Sequence, residues 1–214
     1  MTQRGWHERG RYAFHASHAG AAARGRRWAM VIDGSATLLA PERRASVGQL
    51  VETVFGLMLA ECDGGPHSVR VTKLGRSEDI ASYLDREHLD WSELLGERPS
   101  PWSAVLPALK ESAKDIGESG VVVAIVDGPP ADAAAVVNWA LTTSESLSLR
   151  VVGIGRSHHE ALSDDKPAQW WDEEFAVFEP LALTDRHAVV TISDEAKADS
   201  AAVGLAGGLS AGVR

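Results

Sequence analysis

Three short apolar runs constrain this chain more than any other feature: WAMVID at 28–33, VVVAIVD at 121–127 and LRVVGIG at 149–155. None has the polar alternation of a strand with one wet face. Runs of this kind are strands buried on both faces, the mark of a parallel sheet covered by helices. The segments between them supply the helices. In 43–62, Val47, Leu50, Val51, Val54, Leu57 and Met58 recur at helical spacing, and Asp63-Gly64-Gly65 stops the run. Residues 103–116 read as a helix with Ser103 as N-cap and Pro107 in the first turn, where proline is tolerated. Residues 131–144 read as another helix, and 194–209 as a closing one.

Other segments complete the pattern. SVRVTKL (68–74) alternates and reads as a strand with one solvated face. FAVFEPLAL (175–183) reads as a fourth strand after LRVVGIG, and EDIASYLD (78–85) as a short edge strand or a helix. Alternation of strands and helices predicts an α/β fold, a Rossmann-like, doubly wound sheet with helices on both faces. The expected organisation is a basic arm at 1–27, a domain at 28–209 and a tail at 210–214.

Asp33 closes the first run, and hydroxyls follow it at alternate positions, Ser35 and Thr37; Asp127 closes the second run. In open α/β sheets ligands bind at the carboxyl ends of the strands, where the strand order reverses. Two carboxylates with neutral hydroxyls make a hard-oxygen site suited to Mg²⁺ or Mn²⁺. A serine from the loop before 103–116 supplies a further oxygen, Ser103 or, in another register, Ser100. The plainer reading of Asp33 and Ser35 is a strand-end turn bonded to nearby backbone. Ser103 read plainly is a helix cap, and Asp132 a cap for the helix that follows DGPPA.

These motifs resemble the von Willebrand factor A domain family with its metal-ion-dependent adhesion site. That family's Asp-x-Ser-x-Ser appears here as Asp33-Gly34-Ser35-Ala36-Thr37. Its loop threonine, before a helix with Pro-Ala-Leu, corresponds to Ser103 in SAVLPALKE. Its Asp-Gly-x-Pro corresponds to Asp127-Gly128-Pro129-Pro130. The order agrees over about residues 28–183. LRVVGIGRSHHEAL (149–162) is also similar to a segment of bacterial members linked to tellurium resistance and stress. Thr37 and Ser103 depart from the family's Ser and Thr but keep the oxygen, and Ala36 stands where Gly is frequent. The resemblance implies a three-layer fold with one short antiparallel edge strand. It implies a metal held by Asp33, Ser35, Thr37, Ser103 and Asp127. It also implies a non-catalytic adaptor whose metal takes an Asp or Glu from a protein partner, within a bacterial stress or ATPase-associated system. A degenerate scaffold that binds partners without metal is the alternative.

Composition narrows the classes. The net charge is −9, yet residues 1–27 carry six Arg against one Glu, leaving −14 on the rest. An acidic body repels phosphates and argues against nucleic-acid binding. No apolar run reaches the roughly 18–20 residues of a membrane span. With no apolar leader at the N-terminus and one cysteine, Cys62, the expected compartment is the cytoplasm. A phosphatase of the haloacid-dehalogenase type needs a second Asp two residues after the first, where this chain has Ser35. There is no P-loop, and GIGRS lacks a full dinucleotide-binding fingerprint. His158-His159 lacks further ligands at zinc spacing, and QWWDEE (169–174) reads as aromatic packing.

Overall fold

A computed structural model of the chain describes residues 27–34, 68–73, 76–79, 104–126, 128–154, 175–184 and 186–192. The elements in chain order are β1 (Trp28–Asp33), β2 (Ser68–Lys73), β3 (Arg76–Asp79), α1 (Leu106–Ile116), β4 (Val121–Val126), α2 (Ala133–Thr142), β5 (Ser148–Ile154), a 3-10 turn (Ala176–Phe178) running into α3 (Glu179–Ala182), and β6 (Ala188–Ile192). The strands form one sheet in the order β3-β2-β1-β4-β5-β6. β1 pairs in parallel with β2 and β4, β4 with β5, and β5 with β6. β3 runs antiparallel to β2. The protein is therefore α/β, with its apolar runs as the central strands.

Both faces of those strands are buried, which is why they show no alternation. On one face Ala29, Val31, Val122, Ala124, Val126, Leu149 and Val151 pack with Ala108, Leu109 and Ile116 of α1, Val136 and Ala140 of α2, and Phe175, Phe178 and Leu181. On the other face Trp28, Met30, Ile32, Val121, Val123, Ile125 and Val152 are buried as completely.

Two expectations need correction. Residues 175–183 are helical, not a strand. Pro180 has no N–H for a strand ladder but fits the first turn of α3, beside Glu179, whose charge suits a helix N-terminus. Phe175, Phe178 and Leu181 recur every three residues and all are buried, a spacing that belongs to a helix. The strand that follows is β6, whose AVVTI is β-branched in four of its five positions. Finally, the polar face of β2 is partly covered by α1 and not simply open to solvent. Thr72 is buried, and Arg70 lies under α1, paired with Glu111 at 3.2 Å and Asp115 at 2.8 Å.

Gly153 of β5 faces the same way as Val151 and meets the ring of Phe175. A Cβ there would stand 2.5 Å from Phe175 Cζ. The ring is held by the core, and a methyl group has to displace it. Gly153→Ala is expected to lower stability by ~1–3 kcal/mol, the range for overpacking, measured as a lower urea midpoint at unchanged slope. An unchanged midpoint would show that Phe175 does not seat on the strand.

Candidate functional site

The chain turns one way from β1 to β2 and β3, and the other way from β4 to β5 and β6. The reversal lies between β1 and β4. The β1–β4 pairing runs as far as Ile32 opposite Ile125, so Asp33 and Val126 come next, side by side, at the carboxyl rim. Asp127 directly follows Val126 in sequence. Asp33 is 2% exposed and shares the α1 face of the sheet with Ala29 and Val31. Ser35, Thr37, Ser100, Ser103 and Asp127 lie outside the described residues, as do Cys62, His158-His159 and residues 169–174.

Thr72 is a residue of this rim that sequence reading did not single out. It stands opposite Asp33 in the β1–β2 register. Its Oγ1 accepts the Gly34 N–H at 3.3 Å, and its hydroxyl reaches the Ile32 carbonyl at 3.5 Å. The Thr72 hydroxyl thus holds Gly34, the residue after Asp33, where the chain leaves β1. The available signal was the place of Thr72 on the polar alternation of SVRVTKL.

Asp132 corrects a second expectation. Its side chain makes no cap bond to its own helix, α2. Its carboxylate instead accepts the N–H of Val105 at 3.1 Å and of Leu106 at 2.9 Å, at the start of α1. The residue at the N-cap position of α1 is Val105 and not Ser103 as expected; Val105 has no polar side chain, so the cap comes from the loop after β4. The first helical N–H groups have no partners within a helix, and Pro107 contributes none. One carboxylate therefore satisfies two of the three N–H donors from Val105 to Ala108.

A second polar cluster sits at the opposite rim. Arg186 donates from Nη1 to the carbonyls of Thr143 at 3.3 Å and Ser144 at 2.9 Å, and from Nη2 to those of Ala140 at 3.0 Å and Leu141 at 2.9 Å. It caps the C-terminus of α2 with a charge that suits the helix dipole. Ser148 Oγ donates to the Arg186 carbonyl. His187 Nδ1 accepts the Leu149 N–H at 3.0 Å, so the neutral ring carries its proton on Nε2, 3.2 Å from the Ala140 carbonyl. Among the described residues, the bonds of these side chains run to backbone. The cluster lies at the end of the sheet away from the switch point and has a structural role: it anchors α2 to β5 and β6.

Among the described residues no three His, Cys, Asp or Glu side chains gather as a metal cluster, and no helix is long and apolar enough to cross a membrane. Compared with known proteins, the chain matches no family model, and no curated protein matches it.

Burial, and then the charge of Arg186, lower the His187 pKa from 6.5 to about 4; Arg150 adds to the lowering and the Ala140 carbonyl opposes it. The unfolded chain takes up this proton first. Stability is therefore whole above pH 6.5 and declines as pH falls toward 4. Urea unfolding between these limits should show that decline, and His187→Asn, though less stable, should flatten it. An equal slope in the variant would place the titrating group elsewhere.

Proposed function

We propose that the carboxyl rim between β1 and β4 is a divalent-cation site of the von Willebrand factor A type, used to capture a carboxylate on a protein partner. One observation carries the reading: the topology brings the ends of β1 and β4 side by side at the switch point, and each strand runs into an Asp. The two acids are nearly a hundred residues apart in sequence. Burial of both sheet faces supports a three-layer arrangement, and the antiparallel β3 at the edge fits the same family pattern.

The chemistry follows from the donor set. Asp33 and Asp127 balance the charge of Mg²⁺ or Mn²⁺, and Ser35, Thr37 and Ser103 add neutral oxygens without further charge. An ion held this way remains electrophilic and keeps water in its open positions. An incoming Asp or Glu displaces one water and adds charge attraction. The set contains no second acid two residues after Asp33 and no nucleophile paired with a base, so the site is for binding and not for turnover. The reading places the protein among adaptors of a bacterial stress or ATPase-associated system, in the cytoplasm, and the acidic body fits a protein rather than a nucleic-acid partner.

Thermal melting during Mg²⁺ or Mn²⁺ titration tests this. Selective binding to the folded state raises the melting temperature, by about 2.7 kcal/mol of stability at a hundredfold excess over Kd. Asp33→Ala should abolish the rise. A flat titration in the unaltered protein would leave a metal-free scaffold, and a rise that persists in the variant would move the site away from β1.

A further inference from the structure

We propose that Asp132 is the positioning residue of the rim: its carboxylate latches the loop after β4 onto the start of α1 and so sets the affinity of the proposed cation site. The inference rests on the reading of that site. Its own support is independent, and lies in the two bonds from Val105 and Leu106.

The two bonds connect stretches that sequence alone keeps apart. Asp132 stands five residues after Asp127, on the loop leaving β4. Val105 and Leu106 stand two and three residues after Ser103. Nothing else in the first turn of α1 can do this work, because Val105 has no capping group and Pro107 has no N–H. A fork that accepts two backbone donors fixes orientation as well as distance. The loop after β4 and the start of α1 are thus tied together by a residue that belongs to neither proposed ligand position.

Charge gives Asp132 a second effect. α1 packs against β1, β2 and β4 on the face that Asp33 shares, and Arg70 of β2 pairs with Glu111 and Asp115 in its C-terminal half. The N-terminus of α1 is therefore at the carboxyl rim. A helix N-terminus carries a positive partial charge, which opposes a cation nearby. The Asp132 carboxylate cancels that charge. Because both of its oxygens are engaged by N–H donors, it does so without becoming a third acidic ligand, and the site keeps the low charge that lets it draw in a partner's carboxylate.

Two variants of the full chain separate the effects. Asp132→Ala removes latch and charge; Asp132→Asn keeps one acceptor and loses the charge. Mn²⁺ affinity is read by titration, and hydrogen exchange of the Val105 and Leu106 amides is read on the same samples without metal. Loss of a group that orients metal ligands typically costs about 10–100-fold in affinity. Asp132→Ala should weaken Mn²⁺ by that range and expose both amides, while Asp132→Asn should fall between. If the unaltered protein binds no Mn²⁺, the site reading fails and the affinity claim fails with it; amides that stay protected in Asp132→Ala refute the latch whatever the metal does. Wild-type Mn²⁺ affinity in a folded Asp132→Ala, with both amides exposed, would overturn the positioning role while leaving the site reading intact.

Discussion

The side-by-side pairing of β1 and β4 is the constraint on which the rest depends. Both strands are buried on both faces, so the register between them is fixed by the core and not by the loops. A slip of one residue would send Met30 and Ile32 to the face of Ala29 and Val31, against α1. The same register that fills the core therefore decides which side chains stand together at the rim. A site at this place would inherit its geometry from two paired strands of the buried core.

The two rims of the sheet differ in how they use polar groups. At the amino end of β5 and β6, Arg186, His187 and Ser148 spend their bonds on backbone carbonyls and N–H groups of α2 and its neighbours. This ties a helix end to the sheet. At the carboxyl rim, Thr72 and Asp132 also bond to backbone, but their partners are Gly34, where the chain leaves β1, and Val105 and Leu106, where it enters α1. The first arrangement makes a floor, and the second makes a frame. Separation of stability from function in this way is usual for parallel sheets, where loops at the carboxyl ends carry the chemistry.

Much of the fold was legible because the central strands are continuous apolar runs. WAMVID matches β1 at both ends, and GVVVAIVD and LRVVGIG locate β4 and β5 within a residue or two. Local periodicity failed where aromatic residues mimic a strand, as at Phe175 and Phe178, and where AVVTI was too short to stand out. The candidate site was legible from the sequence only in outline. Asp33 ends β1 and Asp127 follows β4 in sequence, whereas the bond from Asp132 to α1 spans 26 or 27 residues and has no local signature. Read by position, Asp132 is a cap for the helix that follows it. Only the packing of α1 beside the β4 loop redirects its carboxylate. Thr72 is similar, since its partner Gly34 lies 38 residues away.

The central claim is that Asp33 and Asp127 share one ion at the switch point. Crystals grown with Mn²⁺ test it directly, because anomalous scattering locates the ion without reference to the protein. The account predicts a single strong peak at the carboxyl rim between β1 and β4, within coordination distance of an oxygen or water held by each acid. A peak elsewhere, or the two carboxylates turned to separate regions around an empty rim at saturating Mn²⁺, would contradict it.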